Sequence, residues 1–183
     1  MHTPLAIAVL ALLRERPMHP YEMHQLLRER HLDEVIKVTA GSLYHTVTRL
    51  ERDGFLKPVC TERAGKRPER TTYRVTDAGD AVVREWVAHQ LAQPRREYPV
   101  YPYALTEAHN LTADEAVQAL VQRSTALTAE LARAEGVLAA RTAEQVYRIG
   151  GEHLVAMLRA ELEWTRDLIE RIERKDFPWD PWT

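Results

Sequence analysis

The chain has 183 residues, 45% of them hydrophobic and 28% charged, with a formal net charge of −2. That composition suits one or two small domains with real cores, and the chain has no apolar run long enough to span a membrane. Leu5 to Leu13 is apolar but follows no basic segment, so no signal peptide is expected, and one cysteine, Cys60, excludes an internal disulfide; together these predict a cytoplasmic protein.

The charge is uneven along the chain. Residues 1–76 carry 13 Lys+Arg against 9 Asp+Glu, whereas residues 77–183 carry 12 against 18. A basic first part joined to an acidic second part predicts that the first alone meets nucleic acid.

Thr3-Pro4 opens the first helix, with Thr as cap and Pro at a position whose missing N–H costs nothing. Leu5, Ile7, Val9, Leu10, Leu12 and Leu13 make that helix apolar almost all round, so it should be buried. Met18-His19-Pro20-Tyr21 begins a second helix, with Tyr21, Met23, Leu26 and Leu27 expected on its core side. The spacing of His19, His24 and His31 does not stack them on one face, and no thiol or carboxylate completes a metal set.

Thr39 to Phe55 reads as a third helix with a start and a stop: Thr39 as N-cap and Gly54 just past the end. Leu43, Val47 and Leu50 form its apolar face. Ser42, His45, Thr46 and Arg49 are expected on the other face, where hydrogen-bonding side chains can reach base edges and phosphates. Leu56–Glu62 and Thr71–Thr76 are rich in β-branched residues and predict a hairpin. Its tip holds Arg63, Lys66, Arg67 and Arg70, placed to touch phosphates or a minor groove. A hairpin of this kind beside a helix-turn-helix is a winged helix.

Thr76 caps a fourth helix running to about Gln93, with Ala81, Val82, Trp86, Val87 and Leu91 on its apolar side. Three prolines between residues 94 and 102 predict a linker and a domain boundary, giving domains 1–93 and 94–183. A short helix is expected over Ala104–Asn110, then a capping box at Thr112-Ala-Asp-Glu115. Val117, Leu120, Ser124, Leu127, Leu131, Ala134 and Leu138 alternate gaps of three and four, a heptad seam. A second long helix is expected from about Ala143 to Arg174, with Gly150-Gly151 inside it. Two such helices leave apolar surface over, which predicts a homodimer through Leu120, Leu127, Leu131, Leu154, Trp164 and Leu168. The aromatic tail, Phe177 to Trp182, points equally to fold-back, to a partner or to a loose end.

Leu10-Ala-Leu-Leu13, Met18-His-Pro-Tyr-Glu22, Gly41-Ser-Leu-Tyr44, Arg49-Leu-Glu-Arg-Asp-Gly-Phe-Leu56 and Tyr73-Arg-Val-Thr-Asp-Ala-Gly79 together resemble the PadR family of bacterial transcriptional regulators. That family usually has glycine where this chain has Pro20. The helical second half, with Glu161-Leu-Glu-Trp164, is similar to the family's longer type. The resemblance implies a mainly α fold: an N-terminal winged helix-turn-helix and a C-terminal antiparallel helical dimerisation domain. It further implies a repressor that reads a pseudo-palindromic operator in double-stranded DNA, without a cofactor and without enzymatic activity. Carried onto this sequence, the groove candidates are Ser42, Tyr44, His45, Thr46 and Arg49; the phosphate and wing candidates are Tyr21, Lys37, Thr39, Lys66 and Arg67. A small aromatic effector is implied as well, with Trp86, Tyr98, Tyr101, Tyr103 and Trp164 as its candidate lining. The contrasting reading is a helical ligand-binding or protein-interaction module that does not bind DNA.

Overall fold

A computed structural model of the chain describes residues 2–62, 70–94, 98–140 and 145–179. These fall into two units, Met1–Arg96 and Glu97–Thr183.

The first unit is built around α1 (Pro4–Glu15), whose Leu5, Ala6, Ile7, Val9, Leu10, Leu12 and Leu13 are all buried. Thr3 Oγ1 accepts the Ala6 N–H at 3.3 Å and closes its first turn. Around it lie α2 (Pro20–Glu29), α3 (Ala40–Arg52), the strands β1 (Leu56–Glu62) and β2 (Arg70–Val75), and α4 (Asp77–Ala92). Met23 and Leu27 of α2, Leu43, Val47 and Leu50 of α3, Leu56 of β1 and Val83 of α4 complete one core with α1. Burying each such side chain contributes roughly 1.5–3 kcal/mol. The strands pair antiparallel from Leu56–Val75, with a register shift between Pro58 and Cys60. The other edge of β2 is covered: Met18 and Tyr73 exchange both backbone hydrogen bonds at 3.1 Å.

The end of α3 is locked to the start of α4. Gly54 lies in the left-handed region, φ +79°, and Phe55 N–H reaches Leu50 O while Gly54 N–H reaches Glu51 O. This is the six-to-one and five-to-two bonding that ends a helix in a glycine. Thr76 then donates its hydroxyl to Gly54 O at 2.8 Å and its N–H to Phe55 O at 3.0 Å, while capping α4 through Gly79 N–H. Gly79 is pressed so close that a Cβ there would stand 2.2 Å from Phe55 O. Ala81, Val87 and Leu91, expected on the apolar side of α4, are exposed.

The second unit is a helical hairpin of α6 (Ala113–Ala140) and α7 (Ile149–Glu173), preceded by α5 (Val100–Thr106) and a 3-10 turn, Ala108–Asn110. Leu138 lies beside Gly151, Glu135 pairs with Arg159 and Arg123 with Glu161, so α7 runs back along α6 and the hairpin is antiparallel. Every heptad position from Val117 to Leu138 is buried or half-buried, and Leu127 and Ala134 pack on Val155, Leu158 and Leu162. Thr112 and Glu115 form the expected capping box, with the backbone N–H of each accepted by the other's side chain. The Thr112 hydrogen bonds hold the Glu115 carboxyl below its usual range.

Two details depart from the sequence expectation. The proline-rich stretch is partly helical, since Pro99 is the N-cap of α5 and Pro102 falls in its first turn, where no N–H is needed. Gly150 and Gly151 sit in the first turn of α7 rather than inside a helix begun at Ala143. Tight packing suits Gly151, where a Cβ would lie 3.2 Å from Leu138 Cδ1. The tail as far as Trp179 folds back: Lys175 turns the chain at φ +60° and Trp179 Nε1 donates to Leu111 O at 2.9 Å. Trp182 lies outside the described residues.

Candidate nucleic-acid interface

The surface in question begins with α2, a 3-10 turn at Leu32–Glu34, and α3. Leu43, Thr46, Val47 and Leu50 anchor α3 in the core and so fix which side chains it shows. Gly41, Ser42, Tyr44, His45, Thr48 and Arg52 are exposed, and Arg49 is half-buried at the border.

Among the groove candidates, Tyr44 is 46% exposed and His45 is open. Ser42 is exposed but engaged: its hydroxyl accepts the Thr39 N–H at 3.0 Å and donates to Thr39 O at 2.9 Å. Thr39 returns the favour by accepting the Ser42 N–H at 3.2 Å, so the pair forms the capping box of α3. Thr46 is a correction. It is only 6% exposed and donates its hydroxyl to Ser42 O at 2.7 Å, one turn back, so it belongs to the core face and not to the groove face. Thr48 and Arg52 are exposed instead, and both lie on the helical period of Tyr44 and His45.

Of the flanking candidates, Tyr21 is 56% exposed, not on the core side of α2, and Lys37 and Thr39 are exposed. Arg63, Lys66 and Arg67 of the hairpin tip lie outside the described residues. At the head of α2, His19 Nδ1 accepts the Tyr21 N–H at 3.1 Å. Its ring meets the Tyr44 ring edge-on, with 6.4 Å between centroids. Glu22 is held below the usual carboxylate range, first by its hydrogen bond to Arg16 at 2.5 Å.

The remaining candidates belong elsewhere. Trp86 is half-buried against the first core. In the second unit Tyr98 and Tyr103 are open to solvent, and Tyr101 lies half-buried beneath the Arg123 guanidinium, 3.3 Å from ring centroid to Cζ. The second unit does hold two neighbouring cavities, of about 360 and 650 Å³, but none of these five aromatics lines them. Both share the wall Phe177-Pro178-Trp179, which sequence reasoning left without a role. Of the dimerisation candidates, Leu120 and Leu127 are buried and Leu131, Leu154 and Leu168 half-buried within one chain; Trp164 remains 44% exposed.

Three helices, the second and third joined as a helix-turn-helix, followed by a two-stranded hairpin, define a winged helix-turn-helix domain. Residues 9–85 match the model of the transcriptional regulator PadR-like family. The fold of the whole chain is similar to that of Bacillus subtilis PadR in complex with operator DNA: TM-score 0.77, 17% identity, 93% of this chain and 99% of that one. It is similar to the same protein in complex with p-coumaric acid, TM-score 0.76 at 16% identity, covering 94% and 99%. The Vibrio cholerae virulence activator AphA is a third such structure, TM-score 0.69 at 15% identity, covering 93% and 98%. No curated protein sequence matches the chain significantly. Among the described residues, no helix is long and apolar enough to cross a membrane.

Proposed function

We propose that the chain is a cytoplasmic, homodimeric repressor that binds a pseudo-palindromic operator and is released by a small aromatic effector. The observation that carries this reading is the outer face of α3. Tyr44, His45, Thr48 and Arg52 form one polar surface on a helix whose opposite face is fixed in the core, with Tyr21 and Lys37 exposed on neighbouring elements. Such a helix presents hydrogen-bonding groups to base edges, while the flanking tyrosine and lysine meet phosphates. In the sequence Arg63, Lys66 and Arg67 add basic charge between β1 and β2, and the fold's likeness to a protein crystallised with operator DNA supports the reading.

The second unit contributes pairing and control. Met157 and Trp164, seven residues apart on α7, are 57% and 44% exposed, while the opposite side of that helix is used within the chain. A second copy covering them would set two α3 helices for two half-sites. The two cavities walled by Phe177 and Trp179 give an aromatic ligand room, as pockets of such size do. A ligand that favours one dimer geometry over another shifts the equilibrium between bound and free operator.

The test is selection of bound duplexes from a random library, followed by fluorescence anisotropy against a scrambled duplex at two salt concentrations. Binding at least about a hundredfold tighter to the selected duplex, and weaker at high salt, is the expected result. Equal, weak binding to both duplexes would remove the DNA-binding role and leave the helical unit as the working part.

A further inference from the structure

His19 joins the two helices of the helix-turn-helix. It is the N-cap of α2, and its Nδ1 accepts the Tyr21 N–H at 3.1 Å. The edge-on contact with Tyr44 of α3 extends from the same ring. Its backbone is fixed from both sides: Met18 is bonded twice to Tyr73 of β2, and Pro20 locks the first turn. One imidazole therefore holds the Tyr21 backbone N–H at the head of α2 and meets the Tyr44 ring on the outer face of α3.

We propose that His19 is a positioning residue for operator binding, and that it works only in the neutral form with its proton on Nε2. This rests on the DNA-binding reading above. The chemistry is specific to the atom. A nitrogen that accepts an N–H carries no proton, so the cap exists only while Nδ1 is bare. Protonation would set an Nδ1–H against the Tyr21 N–H, two donors facing each other, and would place a cation at the positive end of a helix. The ring must then swing away, which frees the head of α2 and withdraws the contact on Tyr44. Glu22 on α2 and Tyr44 on α3 face His19, and Arg16 in the preceding connector pairs with that Glu22. Glu22 favours the imidazolium, but its carboxylate is already paired with Arg16 at 2.5 Å.

The sign of the effect separates His19 from its neighbours. A histidine that meets a phosphate binds DNA better when protonated, so acid should tighten such a contact. Acid should weaken the contribution of His19. The experiment compares the full-length wild type with His19→Asn, whose side-chain oxygen caps a helix but does not titrate. Both are titrated with a duplex selected by the wild type, from pH 8.0 to 5.5, with circular dichroism following helix content at each pH.

At pH 8.0 the variant should bind within about threefold of wild type, because the cap is kept. Between pH 8.0 and 5.5 the ratio of wild-type to variant affinity should fall about fivefold, the worth of one N-cap, with helix content unchanged in both. Parallel pH profiles would overturn the proposal while leaving DNA binding intact. Absence of selective binding by the wild type at pH 8.0 would overturn the DNA-binding reading itself, and this proposal with it.

Discussion

Two glycines at opposite ends of α3's surroundings make contrasting demands. At Gly79 the first turn of α4 is pressed against the end of α3, and a methyl group would sit 2.2 Å from a backbone oxygen and 2.8 Å from Val75 Cγ2. A backbone carbonyl held by Thr76 N–H has little freedom to retreat. Gly79→Ala should therefore destabilise the chain by about 2 kcal/mol in urea unfolding, overpacking outweighing the gain in helix propensity. Gly41 is the reverse case: a Cβ there meets nothing within 4 Å, in the first turn of α3 on the exposed side. Gly41→Ala should leave folding unchanged or improve it by up to about 1 kcal/mol. If DNA backbone approaches this turn, the same change should weaken operator binding about tenfold. A variant that folds as well and binds as well would show that the head of α3 is not in close contact.

At the scale of the element, α3 shows what the sequence made legible and what it hid. Its cap, its glycine stop and the spacing of Leu43, Val47 and Leu50 are local signals, and each has the expected structure. Thr46 was sorted by polarity instead of by position. Leu43, Thr46, Val47 and Leu50 follow the three-four-seven rhythm of a buried face, and a threonine can enter it because its hydroxyl bonds the carbonyl one turn back. Similarly, the prolines at 99 and 102 read as a break because composition carries no information on whether an N–H would have had a partner. The heptad of α6 was legible in full, but which helix it packs on was not, since a seam of leucines fits a neighbour in the same chain as well as one in another. The corrected face of α3 gives its own test. Thr46→Val should leave operator affinity unchanged, whereas Arg52→Ala should weaken it uniformly across sequences and lower the slope of log affinity against log salt by about one, as loss of a phosphate contact does. Tighter dependence of binding on Thr46 than on Arg52 would mean that the helix is rotated in the complex.

For the whole molecule, the question is what covers the outer side of α7. The inner side is used: Val155, Leu158, Leu162 and Ile172 are buried, and Thr165 is buried with its hydroxyl on Glu161 O. A helix that still exposes a methionine and a tryptophan on the far side is apolar beyond the needs of one chain. A second copy is the economical partner, because a two-fold arrangement buries the same residues on both chains. Both consequences can be measured on Met157→Glu/Trp164→Glu. Neither side chain belongs to the buried core, so circular dichroism should be unchanged. Sedimentation should then show monomer where the wild type shows dimer, since four carboxylates would be brought together in an apolar interface. Operator affinity should fall by about a hundredfold or more, because the second half-site is no longer held near by the first. A variant that stays dimeric would place the interface elsewhere; one that becomes monomeric yet keeps full affinity would mean that a single copy reads the operator alone.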